Sequence, residues 1–423
     1  MGPPSRSSYA PGMISRRRTR TAVLVAALGP LLATVACTSA TASPAEPAAA
    51  APEKEKPRLA IPDLTGPYAV GRDTRQLVDH SREDPWVPSA GPRRLMMSLY
   101  YPAREKGRGK ATPYMSEREA RLLLEGIKKD DAIDPATVAA TRTHARTGAA
   151  PARGKHPLVL LSPGFTLHRA TLTLLAEDLA SRGYVVASLD HAHESYGTEF
   201  PGGVVTCTAC ERVEGQPDDE AEKKMIAKGA RGRAADMSFV LDKLLGSGSG
   251  SGSGRAGGLG RYASLIDPER IGAAGHSLGG NASAYAMGRD PRIRASANLD
   301  GTFYAPVPRA ALGRPVLMLG TEAGHSPGSD DRTWPRDWKR LKGWKRWLTV
   351  KDSGHFTFND LPVLAGQLGH SDPAAPLSGK RSGQITTGYV GAFFDQHLKG
   401  RHQRLLDGPT KTNPEVRFRV PSA

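Results

Sequence analysis

The chain has little cysteine, three in 423 residues, which excludes a small fold stapled by many disulfides. The two cysteines that stand close together, Cys207 and Cys210, have no further pair of ligands beside them, so a zinc site is not expected. There is no Walker phosphate loop, no G-x-G-x-x-G fingerprint and no internal repeat. Nucleotide hydrolysis, dinucleotide chemistry and repeat architectures are therefore set aside. A basic stripe is also missing. Lys and Arg number 58 against 42 acids, but five of the arginines lie before residue 21, which leaves an excess of +11 scattered over the rest. Such a surface is solvated; the excess would suit an anionic lipid interface, and nucleic acid is not indicated. The hydrophobic content of 39% fits a globular α/β core in one large or two ordinary domains.

Acids are absent from residues 1–42. This stretch carries a basic cluster, Arg16-Arg17-Arg18-Thr19-Arg20, then an apolar core from Thr21 to Ala36, then small residues. That order describes an export signal and not a membrane span. Ser15-Arg16-Arg17 resembles a twin-arginine signal without the bulky apolar residue expected after the pair, so the Sec route stays open. Cys37 follows Ala36 where a lipoprotein signal would place its lipidated cysteine, and cleavage after Ala42 is the competing outcome. Lipidation of Cys37 would give membrane association. Export would put Cys207 and Cys210 in an oxidising compartment, where a local disulfide within a Gly- and Thr-rich loop is expected. Residues 43–60 are mostly alanine, proline and glutamate and read as a disordered tether ahead of a catalytic domain over 61–423.

Within that domain, Tyr68 to Tyr101 reads as an antiparallel strand pair at a sheet edge. Ser116-Glu117-Arg118-Glu119 is a capping box opening an amphipathic helix, a lid or a surface helix, and residues 130–155 read as a loose excursion. His156 to Leu161 and Tyr184 to Leu189 are continuous apolar runs, as expected of parallel strands buried on both faces, with a helix from Ala170 to Arg182 between them. A helix over 234–245 precedes a Gly-Ser alternation, Gly246 to Gly254, that behaves as a flexible loop. Further strands are expected at 293–299, 315–320 and 347–351, with a closing helix at 385–397. Strands alternating with helices make a mostly parallel sheet covered on both faces.

The stretch with the most chemistry is Ile271-Gly272-Ala273-Ala274-Gly275-His276-Ser277-Leu278-Gly279-Gly280. It holds a serine in a G-x-S-x-G frame between an apolar run and a run of helix formers, the pattern of a nucleophile elbow. Gly275 and Gly279 remove the Cβ atoms that would collide across the turn, and the Leu278 N–H is left at a helix N-terminus, facing a developing oxyanion. A serine needs an imidazole to take its proton and an acid to hold that imidazole. His355, in Gly354-His355-Phe356 after the last strand, stands where the base belongs, ahead of His325, His370 and His397. Asp300 ends the strand at 293–299 and is the favoured acid over Glu322 and Asp330, one strand later. Phe165 in Ser162-Pro163-Gly164-Phe165 would supply the second oxyanion N–H, its side chain lining an acyl pocket.

Taken with Gly66-Pro67-Tyr68, Gly71, Tyr101-Pro102, Ala180-Ser181-Arg182-Gly183-Tyr184, Asp190-His191 and Leu299-Asp300-Gly301, these motifs resemble the platelet-activating-factor acetylhydrolase family of the plasma and type II kind. The likeness runs over about residues 61–420. It implies an α/β-hydrolase fold, Asp300 as the acid, and Phe165 and Leu278 as oxyanion donors. The Gly-Ser run and the C-x-x-C pair depart from the family pattern. No metal or organic cofactor is implied. The expectation is a serine esterase acting on short-chain or phospholipid-type acyl esters; a cutinase-like polyester hydrolase or triacylglycerol lipase is the alternative. A catalytically inactive surface binding module is the third reading, which the intact Ser277, Asp300 and His355 disfavour.

Overall fold

The computed structural model describes residues 58–105, 107, 109–246 and 259–420. The export signal, Cys37, most of the tether and nearly all of the Gly-Ser run lie outside these residues. A nine-stranded sheet organises the chain: β1 (Ala69–Glu83), β2 (Pro92–Ala103), β3 (His156–Ser162), β4 (Val185–His191), β7 (Ile266–His276), β8 (Ile293–Leu299), β9 (Val316–Thr321), β10 (Lys345–Val350) and β11 (Val416–Arg419). A separate hairpin joins β5 (Thr198–Phe200) to β6 (Gly203–Val205). The strand order is β1-β2-β4-β3-β7-β8-β9-β10-β11. The run from β4 to β10 is parallel; β1, β2 and β11 are antiparallel to their neighbours.

The continuous apolar runs follow from burial on both faces. In β3, Leu158 and Leu160 join the core under the helices Asp219–Leu245 and Leu278–Arg289, while Val159 and Leu161 join the core under Thr173–Ser181 and Gly379–Lys399. Side chains alternate across a pleat, so a strand covered on both sides needs apolar residues at every position. Each parallel strand delivers its C-terminal end to one edge of the sheet, and the functional loops collect there.

Several expectations need correction. Residues 130–155 are not loose: they contain the helix Pro135–Ala139, then touch β1 through the Arg146 N–H donating to Val70 O at 3.0 Å, the segment before β1 through the Ile61 N–H donating to Arg142 O at 2.8 Å, and the end of β2 through the Ala152 N–H donating to Pro102 O at 2.8 Å. Backbone groups at the start of β1, at the end of β2 and in the segment before β1 need partners, and a coil segment without apolar periodicity supplies them. The helix expected at 234–245 starts at Asp219, capped by Asp218. Its first half is rich in Glu, Lys and Arg and shows no apolar stripe. The C-x-x-C pair does not sit in a loop: Cys207 caps the helix Thr208–Glu214 directly after β6, and the two cysteines are joined in a disulfide. The expected capping box is present, and Ala120, Leu123 and Leu124 of the helix Glu117–Gly126 are buried against Leu167, Leu174 and Leu364. Among the described residues no helix is long and apolar enough to cross a membrane.

Candidate active site

Ser277 sits between β7 and the helix Leu278–Arg289 with φ 53° and ψ −122°. Few non-glycine residues adopt a positive φ, and this strained turn lifts the side chain off the sheet edge. The flanking glycines are required by close approach. A Cβ on Gly275 would lie 2.4 Å from the Gly279 carbonyl carbon, and one on Gly279 would lie 2.0 Å from the Ser162 oxygen. The turn is fixed by the Ser277 N–H donating to Leu299 O at 2.7 Å.

His355 and Asp300 reach the same point from two other loops. His355 Nε2 lies 2.9 Å from Ser277 Oγ, and His355 Nδ1 lies 2.6 Å from Asp300 Oδ2. Asp300 follows β8, is buried, and accepts a second hydrogen bond on Oδ1 from the Thr321 N–H at 2.6 Å. Burial alone would raise its pKa, but His325, His355 and the Thr321 N–H outweigh it and hold the group down to about 2. Asp300 is thus a carboxylate and can only accept, which places a proton on His355 Nδ1 and leaves Nε2 to accept from the serine.

The rival residues are elsewhere. Glu322 pairs with Arg417 and Arg419, and Asp330 is exposed. His370 is exposed, and His397 packs on Trp344 with ring centroids 4.3 Å apart. His325 does come close, but behind the acid: its Nε2 is 3.4 Å from Asp300 Oδ1, its Nδ1 is 3.3 Å from Asp331 Oδ2, and its ring stacks on Trp334.

The two residues expected to supply oxyanion donors lie in adjoining segments. Leu278 opens its helix, so its N–H has no acceptor within that helix. Phe165 lies in the turn after β3, and its side chain packs with Leu278, Ala305, Ile226, Tyr285 and Tyr304 in an apolar cluster beside the serine. Sequence reasoning assigned no role to His276. It is fully buried, and its Nε2–H donates to the His355 carbonyl at 2.7 Å. Burial, and next the nearby His355, push its pKa down to about 3, so the ring stays neutral. Its place inside the G-x-S-x-G frame was the one signal available. Among the described residues no group of three or more His, Cys, Asp and Glu is gathered so as to hold a metal ion.

A hydroxyl, an imidazole and a buried carboxylate in one chain of hydrogen bonds, at the N-terminus of a helix, can carry out acyl transfer. The known proteins that this chain resembles perform that class of reaction. It is 28% identical over 392 residues to a probable 1-alkyl-2-acetylglycerophosphocholine esterase of Arthroderma benhamiae, covering 85% of this chain and 93% of that one. It is 22% identical over 287 residues to the platelet-activating factor acetylhydrolase of Canis lupus familiaris, covering 60% of this chain and 63% of the other. The solved ferulic acid esterase from Streptomyces cinnamoneus is 41% identical and superposes with a TM-score of 0.71, covering 85% of this chain and 99% of that one. The fold is that of the α/β-hydrolases, and the chain is a carboxylic ester hydrolase. The pattern that defines platelet-activating factor acetylhydrolase, isoform II, matches residues 54–371, and the chain belongs to that family.

Proposed function

We propose that Ser277 is the nucleophile, His355 the general base and then acid, Asp300 the residue that orients His355, and the N–H groups of Phe165 and Leu278 the oxyanion hole. The observation that carries this is the continuous chain Ser277 Oγ, His355, Asp300 at 2.9 and 2.6 Å. As Ser277 Oγ bonds to the ester carbonyl carbon, its proton passes to His355 Nε2 and the carbonyl electrons move onto an oxygen held by the two N–H groups. Collapse expels the alkoxide, which takes the proton from His355, and leaves an acyl-enzyme. Water deprotonated by His355 then releases the acid and restores Ser277.

The substrate is a short-chain or phospholipid-type acyl ester. The position of the acid directly after β8, and the family itself, support this over the cutinase or triacylglycerol lipase reading, in which the acid would come one strand later. A hydroxycinnamate ester is a second reading, favoured by the ferulic acid esterase likeness and by Phe165, Tyr285 and Tyr304 in the cluster beside the serine. Rates on p-nitrophenyl acetate, longer p-nitrophenyl esters and methyl ferulate would separate them. Export through residues 1–42, with Cys37 lipidated at the membrane or removed by cleavage after Ala42, belongs to the same proposal. The mass of the mature N-terminus decides between these two ends.

Ser277→Ala tests the nucleophile: turnover falls on the order of 10⁴-fold or more. A serine-directed phosphonate labels Ser277 in the wild type alone. Labelling of a different residue in folded enzyme would overturn the assignment.

A further inference from the structure

Phe165 can serve the oxyanion only if its peptide is held in place, and the turn that carries it is not one the chain adopts by itself. Thr166, the next residue, has φ 73°, a backbone region that a β-branched side chain occupies only when its surroundings enforce it. The enforcing contacts can be traced. On the C-terminal side, the Thr166 N–H donates to Glu194 O at 2.9 Å, and the Tyr196 N–H donates to Thr166 O at 2.8 Å. On the N-terminal side, Arg233 Nη1 donates to Pro163 O at 2.6 Å and to Ser162 Oγ at 3.3 Å. The two sides are tied together, because Arg233 Nε donates to Glu194 Oε2 at 2.7 Å.

Arg233 and Glu194 are both buried with about 1% of the side chain exposed, far from where a charged pair gains stability cheaply. The other Glu194 oxygen is filled by Trp86 Nε1 at 2.9 Å and Arg93 Nη2 at 2.7 Å, and Arg93 is in turn held by Asp84 and Asp236. Ser162 Oγ also reaches His191 Nε2 at 3.0 Å, and His191 Nδ1–H donates to Asp236 at 2.8 Å. Burial acts to raise the Glu194 pKa, but Arg233 and Arg93 hold it below its usual range, so the carboxylate stays charged. The helix that carries Arg233 reaches the other donor too: Ala230 packs in the cluster with Leu278, and a Cβ on Gly229 would lie 3.4 Å from Leu278 Cδ2. One helix therefore meets both halves of the oxyanion hole.

We propose that Arg233 is a positioning residue for ester hydrolysis: by bridging Pro163 O and Glu194 it sets the Phe165 N–H at the distance the oxyanion requires. The inference rests on Phe165 being an oxyanion donor. A guanidinium fork fits two acceptors at fixed separation, and a lysine ammonium cannot hold both with that geometry.

The test uses Arg233→Lys, which keeps the charge facing Glu194, and Arg233→Gln, in the whole enzyme. Activity on p-nitrophenyl acetate is expressed per phosphonate-titrated serine, and inhibition by a trifluoromethyl ketone, whose adduct places an oxyanion in the hole, is measured beside it. A displaced donor lowers kcat on the order of 10- to 100-fold with KM nearly unchanged, and raises the ketone Ki by the same factor. If the titratable fraction and Tm fall while kcat per site and Ki stay within about twofold, Arg233 only stabilises the fold and the proposal is wrong. Failure of both variants to fold has the same meaning. Failure of the underlying reading would look different: Phe165→Pro, which removes the N–H and leaves Arg233 in place, would then leave kcat per site and the ketone Ki unchanged.

Discussion

Asp300→Asn is nearly isosteric, and the structure fixes what the new amide must do. The Thr321 N–H points at Oδ1 from 2.6 Å, so the amide oxygen stays there and the NH₂ turns toward His355 Nδ1. Two donors cannot face each other, and His355 must shift its proton to Nε2, where it meets Ser277 and can no longer take a proton. Forcing the wrong tautomer costs about 10⁴-fold in turnover. The alternative is to flip the amide, leaving its NH₂ opposed to the Thr321 N–H at a cost of about 1–3 kcal/mol for unsatisfied buried donors. The charge-assisted bond to the imidazolium is then lost as well, about 1.5–3 kcal/mol more. Either route predicts a fall in kcat on the order of 10² to 10⁴. KM should hardly move, because Asp300 is buried behind His355. Steady-state hydrolysis of p-nitrophenyl acetate at pH 8, with circular dichroism to check folding, reads the effect. Glu322→Gln and Asp330→Asn serve as controls and should stay within about threefold of wild type. A kcat for Asp300→Asn within about tenfold of wild type, or an equal loss in either control, would refute the reasoning.

Further predictions concern the fold. Gly279→Ala places a methyl 2.0 Å from the Ser162 oxygen, so it should abolish phosphonate labelling of Ser277 even where soluble protein is recovered; normal labelling would show that the elbow tolerates a side chain. His168 lies between Glu119 and Asp190, each 3.0 Å away. Burial would lower its pKa, but the two carboxylates raise it from 6.5 to about 9. A raised folded pKa means that this stability is complete below the unfolded value and lost as pH rises through the folded one. Urea unfolding should therefore show stability falling as pH rises from about 6.5 to about 9.5, and His168→Gln should flatten that fall; an unchanged slope in the variant would count against this. The Cys207–Cys210 disulfide spans a sequence separation of 3, and closing so short a loop stabilises the chain by about 2 kcal/mol. Intact mass should show two hydrogens missing, and Cys207→Ser with Cys210→Ser should lower Tm by a few degrees; two free thiols in protein purified without reductant would contradict it.

Some of this protein is written locally. The elbow at Gly275 to Gly279 was legible because a strained turn excludes side chains at both flanking positions, whatever surrounds it. The strands β3 and β4 were legible because a strand covered on both faces must be apolar throughout. His355 could be chosen by its place after the last parallel strand. The helix over 219–233 was not legible, since its solvated Glu and Lys residues carry no periodic stripe. The segment 142–152 was not legible either, since it is held by scattered backbone hydrogen bonds to residues 59–61, 110–112, β1 and the end of β2, which leave no periodic pattern of side chains. At the active site, sequence order favoured Asp300 as the acid, with Glu322 and Asp330 as rivals at the next strand end. The hydrogen bond from His355 to Asp300, over 55 positions of sequence, exists only once β8 and β10 are laid in the sheet on either side of β9. The buried pair of Arg233 with Glu194, and His276 under the His355 carbonyl, are decided in the same way. A charged or titratable side chain has no local signature that tells a solvated surface position from a buried one. Only packing removes its water and assigns it a partner.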